Sequence, residues 1–76
     1  MEVRLERLSA EMEFVTVLAW KRVLGEAVQA GDVLLEVEAD KVTAEIECPV
    51  SGRIAELVAE VGDELKVGAV LAVIDE

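Results

Sequence analysis

The chain has 76 residues, of which 54% are hydrophobic, and a formal net charge of −10. This length corresponds to one domain, residues 1–76, with enough Val, Leu, Ile and Ala for a small aliphatic core. The charge argues against binding to nucleic acid or to membranes, because phosphate backbones and anionic lipids repel an acidic surface. No apolar run is long enough for a membrane-spanning helix, and no charged and then apolar leader opens the sequence.

Residue types that carry most enzyme chemistry are scarce. The chain has no histidine, which removes the usual general base and the commonest metal ligand. Cys48 is the only cysteine, so no internal disulfide can form, and we expect it in the core or at a strand end. We therefore predict a domain that is not itself an enzyme. The lone thiol and the missing leader suggest a bacterial-type cytoplasm, with the mitochondrial matrix as the alternative.

In chain order, short valine-rich segments with alternating polarity predict β-strands. The first strand is expected over Val3 to Leu8, followed by a loop from Ser9 to Phe14, although a helix over Arg4 to Met12 is an alternative. In the segment that starts at Val33, the alternation predicts that Leu34, Glu36 and Glu38 share the face opposite the apolar one. The other predicted strands are Val15 to Trp20, Val42 to Cys48, Ile54 to Ala59 and Val70 to Asp75.

A weak internal repeat relates the two halves of the chain. The segment from Gly25 to Gly31 is similar to the segment from Gly62 to Gly68, at an offset of 37 residues, and an apolar strand follows each copy. Chance recurrence of glycine turns is the alternative explanation. Because neither half could bury a hydrophobic face alone, we expect the two halves to pack about a pseudo-two-fold axis.

The repeat makes a geometric prediction about Lys41, which lies between two predicted strands. An offset of 37 residues relates position 41 to position 78 in one direction and to position 4 in the other. The symmetry partner of the Lys41 hairpin is thus the pair of chain ends. We expect the hairpin tip and the chain ends to lie at opposite ends of the domain.

Several ordered segments together resemble a known family. Residues 31–42, which include Glu38-Ala39-Asp40-Lys41-Val42, are similar to the attachment region of lipoyl domains, and the likeness continues through 49–54, 62–63 and 68–72. Lipoyl domains belong to the acyltransferase components of 2-oxo acid dehydrogenase complexes, such as the pyruvate dehydrogenase complex. The chain departs from the family pattern at Ser9, at Val15 and at Glu26, where glycine, glycine and aspartate respectively are usual.

The resemblance implies an all-β fold, a flattened barrel (barrel-sandwich hybrid) of two four-stranded antiparallel sheets with internal pseudo-two-fold symmetry. It adds two short strands, near Ala27-Val28 and near Glu64-Leu65, that the pattern alone does not show. It also implies that Lys41 lies in a tight turn and carries lipoate as a covalent cofactor. Residues Glu38, Ala39, Asp40 and Val42 are the candidates for recognition by the modifying enzyme.

The resemblance further implies a set of protein partners. A lipoate ligase or a lipoyl/octanoyl transferase would modify Lys41. The loaded arm would then shuttle acyl groups and reducing equivalents between a thiamine-diphosphate-dependent decarboxylase, the acyltransferase catalytic domain and dihydrolipoamide dehydrogenase. No metal, nucleic acid or membrane partner is expected.

Two other functions fit the same architecture. A biotin carrier also presents a hairpin lysine, but that family normally places methionine on both sides of it, where this chain has Asp40 and Val42. The third reading is an unmodified barrel that serves as an interaction module, as in some export-system adaptors. The three readings differ in what becomes attached to Lys41.

Overall fold

The computed structural model of the chain describes residues 1–6, 14–39 and 41–76, and all regular structure in these ranges is β-strand. Buried and more exposed side chains alternate along most of each longer strand, as the sequence pattern predicts, with an exception at Leu34. Within these ranges no helix is long and apolar enough to cross a membrane. The strands are β1 (Glu2–Arg4), β2 (Phe14–Trp20), β3 (Ala27–Val28), β4 (Val33–Ala39), β5 (Val42–Glu47), β6 (Gly52–Leu57), β7 (Glu64–Lys66) and β8 (Val70–Asp75).

The eight strands form two antiparallel four-stranded sheets. One sheet has the strand order β1-β8-β6-β3 and contains both chain ends, so we call it the terminal sheet. The other has the order β5-β4-β2-β7 and contains the hairpin of Lys41, so we call it the Lys41 sheet. Their apolar faces enclose a single aliphatic core. This arrangement confirms the predicted all-β, flattened barrel-sandwich architecture.

Matched hydrogen bonds confirm the internal repeat. The backbone N–H of Gly25 donates to the carbonyl of Ile54 at 2.8 Å, and 37 residues later Gly62 donates to Val17 at the same distance. The two turn glycines have φ values of 85° and 92°, a backbone conformation that favours glycine. Further bonds recur at the same offset, including Lys21 N–H to Leu34 C=O and Val58 N–H to Leu71 C=O.

The offset is not constant along the chain. Gly31 donates to Cys48, whereas its equivalent Gly68 donates to Leu5, so Cys48 corresponds to Leu5 at an offset of 43 residues. The connection between β1 and β2 is therefore six residues longer than the equivalent connection between β5 and β6. Residues 7–13 belong to this longer connection. The sequence prediction that position 41 corresponds to position 4 was wrong, because it assumed a uniform offset. With the corrected offset the partner position precedes residue 1.

The chain ends are nevertheless the counterpart of the Lys41 hairpin. The Met1 amine donates to the carbonyl of Ile74 at 2.6 Å, and the Ile74 N–H donates back to Met1 at 2.7 Å. Strands β1 and β8 thus pair in the terminal sheet as β5 and β4 pair in the Lys41 sheet. The pseudo-two-fold axis therefore relates the chain ends to the Lys41 hairpin, and the two lie on opposite sides of this axis.

The core is almost wholly aliphatic, and it contains one residue that the sequence pattern placed outside. Leu34 was predicted to face outward with Glu36, but its side chain is fully buried. A register shift between Val33 and Leu35 explains the error, because the irregularity turns two consecutive side chains inward. Leu71, the equivalent residue of β8, is buried in the same way.

Strand β6 begins at Gly52, two residues earlier than predicted, because Gly52 pairs with Val28.

Candidate functional site

Lys41 lies in a two-residue connection between β4 and β5. Ala39 and Val42 are the last residues of the β4–β5 pair, so only Asp40 and Lys41 join the two strands. The side chain of Lys41 is exposed to solvent, and its φ is 66°. Among the described residues it is the only non-glycine with positive φ. The structure therefore holds an exposed amine at the tip of a tight hairpin.

The backbone of Lys41 adopts a conformation for which glycine is better suited. Two-residue hairpin turns require positive φ, which explains the usual preference for Asn-Gly or Asp-Gly in them. A lysine in the left-handed region costs roughly 1–2 kcal/mol, because its Cβ approaches the backbone. The sequence contains a signal for this feature, because Asp-Lys stands where a two-residue hairpin would favour Asp-Gly. A non-glycine residue in this conformation leads to the hypothesis of a functional site.

The strand that leads to the hairpin is firmly held. Strand β4 is paired on both sides, with β5 and with β2. Its residues Leu35 and Val37 are fully buried in the core. The strand that carries the hairpin is therefore anchored by pairing on both sides and by buried side chains.

The predicted recognition residues surround the turn, although they differ in exposure. Glu38 is exposed and pairs with Thr43 across the strands, while Ala39 is half-buried against the core. Val42 leaves 65% of its surface accessible, which is high for an apolar side chain in a strand. Asp40 lies outside the described residues. No comparison tests the recognition role, so it stays a prediction.

The other two lysines have different surroundings. The Nζ atom of Lys21 lies 2.9 Å from a carboxylate oxygen of Glu36, and this hydrogen bond raises the pKa of Lys21 above its usual value. The Nζ atom of Lys66 lies 5.4 Å from the centroid of the Phe14 ring. No ion pair of Lys41 is found within residues 1–6, 14–39 and 41–76. Among these three lysines, Lys41 is the one that lies at the tip of a hairpin.

Several other residues named above have structural roles. Cys48 is buried in the core, as expected. Trp20 packs against the core, and its indole N–H donates to the carbonyl of Ala59 at 2.8 Å. At the departure from the family pattern in the first glycine turn, Glu26 accepts the N–H of Val23 at 3.0 Å. Val15 is buried in β2, and Ser9 lies outside the described residues.

The described part of the molecule offers little for metal binding, and its main groove is not at the hairpin. No group of three or more potential metal-ligating side chains occurs there. A groove of about 530 Å³ lies between the edges of β1 and β5, with Val3, Ile46 and Cys48 in its lining. Lys41 is not among the residues that line it. The chemistry available at the hairpin is therefore that of a solvent-exposed primary amine.

Comparison with known protein families gives one match over nearly the whole chain. The model of the biotin/lipoyl family, described as "Biotin-requiring enzyme", matches residues 2–74. The matched range includes both glycine turns and the Lys41 hairpin.

Curated proteins similar to the chain are acyltransferase components of dehydrogenase complexes. The chain is 39% identical over 74 residues to the dihydrolipoyllysine-residue succinyltransferase component of the 2-oxoglutarate dehydrogenase complex of Bartonella vinsonii subsp. berkhoffii. It is 44% identical over 61 residues to the dihydrolipoyllysine-residue acetyltransferase component of the pyruvate dehydrogenase complex of Acholeplasma laidlawii. These matches cover 97% and 80% of the chain, but only 18% and 11% of the relatives' own lengths.

Solved structures show the same architecture. The lipoyl domain of the 2-oxoglutarate dehydrogenase complex from Azotobacter vinelandii, solved in solution, superimposes with a TM-score of 0.79 at 29% identity. The match covers 100% of this chain and 96% of that domain. A segment of the urea carboxylase of Kluyveromyces lactis, 7% of that protein, superimposes with a TM-score of 0.76 over 99% of this chain. At 22% identity this second likeness shows the fold alone.

Proposed function

We propose that Lys41 is the lipoyl attachment site of this chain, which belongs to the biotin/lipoyl family and is a lipoyl domain of the acyltransferase type. The observation that carries the proposal is the exposed Lys41 side chain, held with positive φ between the paired residues Ala39 and Val42. The matched family range, residues 2–74, includes this hairpin. The domain would act as a covalent carrier and not as an enzyme.

The residues around Lys41 fit an amide-linked arm. The side chain already extends into solvent, so attachment of a long acyl group displaces no core residue. The turn supplies a fixed origin for the arm, because β4 is paired on both sides. The neighbouring apolar surface of Val42 is available to an enzyme that must recognise the folded hairpin.

Attachment requires an amine that another protein activates. The lone pair of Lys41 Nζ would attack the carbonyl carbon of an activated lipoyl or octanoyl group. The new C–N amide bond forms as the bond between that carbon and its leaving group, an adenylate or a carrier thiol, breaks. The amine loses a proton in the same reaction. Since the chain has no histidine to accept it, the base is supplied by the lipoate ligase or lipoyl/octanoyl transferase or by solvent.

When attached, the dithiolane of lipoate can accept an acyl group together with two electrons. The contribution of this chain is to present the arm in a fixed position and to be recognised. We propose that its partners are a thiamine-diphosphate-dependent decarboxylase, an acyltransferase catalytic domain and dihydrolipoamide dehydrogenase. Tethering would raise the local concentration of the arm at each active site, so that each encounter can be weak and brief.

A biotin carrier is the second candidate, since the family model covers biotin-requiring enzymes and a urea carboxylase segment shares the fold. The curated relatives with 39% and 44% identity are instead named as dihydrolipoyllysine-residue acyltransferases. We therefore favour lipoate.

The decisive experiment is an intact-mass measurement of the purified domain. Incubation with a lipoate ligase, lipoic acid and MgATP should add one lipoyl group to the wild type. Lys41→Arg, which retains the positive charge, should gain no mass, whereas Lys21→Arg and Lys66→Arg should gain the group as the wild type does. A parallel incubation with a biotin ligase and biotin should leave the wild-type mass unchanged. A biotin-sized gain, or a lipoyl gain on Lys41→Arg, would refute the proposal.

A further inference from the structure

The pseudo-symmetry of the fold provides an internal comparison for many residues on the outer sheet faces. Most positions of the Lys41 sheet have an equivalent position in the terminal sheet with the same backbone pairing, except next to the Lys41 hairpin, where the equivalents of Val42 and Thr43 would precede residue 1. A side-chain type that the fold itself required should therefore recur at both positions. A difference between equivalent positions points instead to a role that only one face performs.

One cross-strand pair differs clearly between the two sheets. Glu36 of β4 lies directly opposite Glu45 of β5. The equivalent pair in the terminal sheet is Val73 opposite Glu2. Like charges that face each other across strands are destabilising, and the terminal sheet shows that the fold does not need them. Lys21 offsets part of the repulsion through its 2.9 Å ion pair with Glu36.

The acidic character extends over the whole outer face of the Lys41 sheet. Alternating burial directs five glutamates outward from this sheet, against one lysine within a strand and a second lysine directly after β2. The terminal sheet directs three carboxylates outward together with two arginines. Lys21 and Lys66 are the two lysines, and the five glutamates are Glu36, Glu38, Glu45, Glu47 and Glu64.

An apolar stripe crosses the same face along β2. Phe14 and Leu18 point outward, with 44% and 37% of their surfaces accessible, and Thr16 lies between them. The positions equivalent to Phe14 and Thr16 are Ser51, which directly precedes β6, and Arg53 of the terminal sheet. Thr16 pairs with Glu38, three residues before Lys41, so the stripe runs toward the hairpin. An apolar strip bordered by carboxylates has the composition of a protein-binding surface.

We infer that the outer face of the Lys41 sheet is the docking surface for the enzyme that attaches the lipoyl group to Lys41. This inference rests on the proposed function and identifies its partner surface. The partner is a protein that presents an apolar contact to Phe14 and Leu18 and surrounds it with Lys and Arg side chains. Charge complementarity favours a basic partner over a second copy of the chain, which would place glutamates against glutamates. The face adjoins the hairpin, so docking there brings the Lys41 amine to the partner.

The test exchanges residues between equivalent positions of the two sheets. The double variant Phe14→Ser and Thr16→Arg gives the Lys41 sheet the residues of its counterpart. The control, Ser51→Phe and Arg53→Thr, makes the reverse exchange at the equivalent positions, where it also removes the hydrogen bonds from Ala30 N–H to Ser51 and from Arg53 to the Gly25 carbonyl. Both leave Lys41 and its turn unaltered. We expect kcat/KM for lipoylation by a purified lipoate ligase to fall about tenfold in the first variant only.

Salt dependence separates docking from an effect on folding. Raising the ionic strength from about 0.1 M to about 1 M shortens the Debye length from about 10 Å to about 3 Å. The electrostatic part of the docking should weaken, so kcat/KM of the wild type should decrease more steeply than that of Phe14→Ser/Thr16→Arg. Equal salt dependence in the two proteins would contradict the inference.

A binding measurement without chemistry gives a second readout. Titration of the isotope-labelled domain with ligase, in the absence of lipoate and ATP, should shift amide resonances of β2 and β4 on the Lys41 sheet. Shifts confined to the terminal sheet, or to the hairpin alone, would overturn the inference. So would equal lipoylation rates in the wild type and both double variants. If the wild type gains no lipoyl mass at all, it is the proposed function that fails.

Discussion

The indole N–H of Trp20 donates a hydrogen bond of 2.8 Å to the carbonyl of Ala59, 39 residues away in the chain. Trp20 ends β2 of the Lys41 sheet, and Ala59 follows β6 of the terminal sheet. The bond therefore connects the two sheets directly, in addition to their shared core.

Replacement of this donor tests the contribution of the bond. Trp20→Phe keeps an aromatic ring against the core but leaves the Ala59 carbonyl without its side-chain donor. We expect a loss of about 1–2 kcal/mol in the free energy of unfolding. For a domain of this size each 1 kcal/mol corresponds to roughly 4–8 °C in Tm. Urea unfolding followed by far-UV circular dichroism measures the change; an unchanged midpoint would show that the bond contributes nothing net.

Gly52 is constrained by space and not by its φ angle. A Cβ at this position would lie 2.5 Å from the carbonyl oxygen of Asp75 and 2.8 Å from a methyl carbon of Ile74. Gly52→Ala should therefore destabilise the domain by about 1–3 kcal/mol through overpacking.

Gly68 is the matched control for this steric effect. Its Cβ would meet nothing within 4 Å, but its φ is 95°. Gly68→Ala should cost roughly 1–2 kcal/mol from backbone strain alone. Crystal structures of both variants would distinguish the causes, since only Gly52→Ala should displace β8. A Gly52→Ala variant with the wild-type stability and β8 position would contradict the steric argument.

The raised pKa of Lys21 predicts a contribution to stability that depends on pH. The hydrogen bond from Lys21 to Glu36 is the main cause of the shift, and the Glu45 carboxylate adds to it. Because the folded-state pKa is above the usual 10.5, the contribution is complete below pH 10.5 and is lost as the pH rises through the folded-state value.

Chemical denaturation of the wild type and of Lys21→Gln tests this prediction. The stability difference between the two proteins should be constant at neutral pH and should shrink above about pH 10.5. Glu36→Gln removes the main partner and should abolish most of this pH dependence. A difference that grew with rising pH would have the wrong sign.

Relief of the backbone strain at Lys41 should stabilise the domain while removing its attachment site. Glycine adopts a φ of 66° without the steric cost that lysine incurs. We expect Lys41→Gly to raise the free energy of unfolding by up to about 1 kcal/mol. The greater conformational entropy of glycine in the unfolded chain offsets part of this gain. Lys41→Asn should have a smaller effect in the same direction. Thermal unfolding measures both, and a lower Tm for Lys41→Gly would contradict the assigned turn conformation.

Much of the fold could be predicted from local sequence, because the strands alternate in polarity and paired glycines flank each repeated turn. Features that depend on two distant segments could not be predicted in this way. Leu34 is buried through a register shift against β5, and no property of β4 alone indicates it. The bond from Trp20 to Ala59 likewise depends on how the two sheets meet.

The candidate site was easier to locate than to describe. The position of Lys41 between two alternating segments indicated a hairpin lysine. Its left-handed backbone was not predicted, although the pairing of Ala39 with Val42 leaves a connection of only two residues. The asymmetry between the sheet faces could not be read from the repeat, because the repeat aligns the glycines and not the outward side chains.

The shortness of the turn has a consequence for distance. Since Ala39 and Val42 are already paired, only two residues separate the two paired strands. The reach of a group attached to Lys41, measured from the sheet, is therefore set mainly by the lysine side chain and by the group that it carries. A target beyond that reach requires movement of the whole domain.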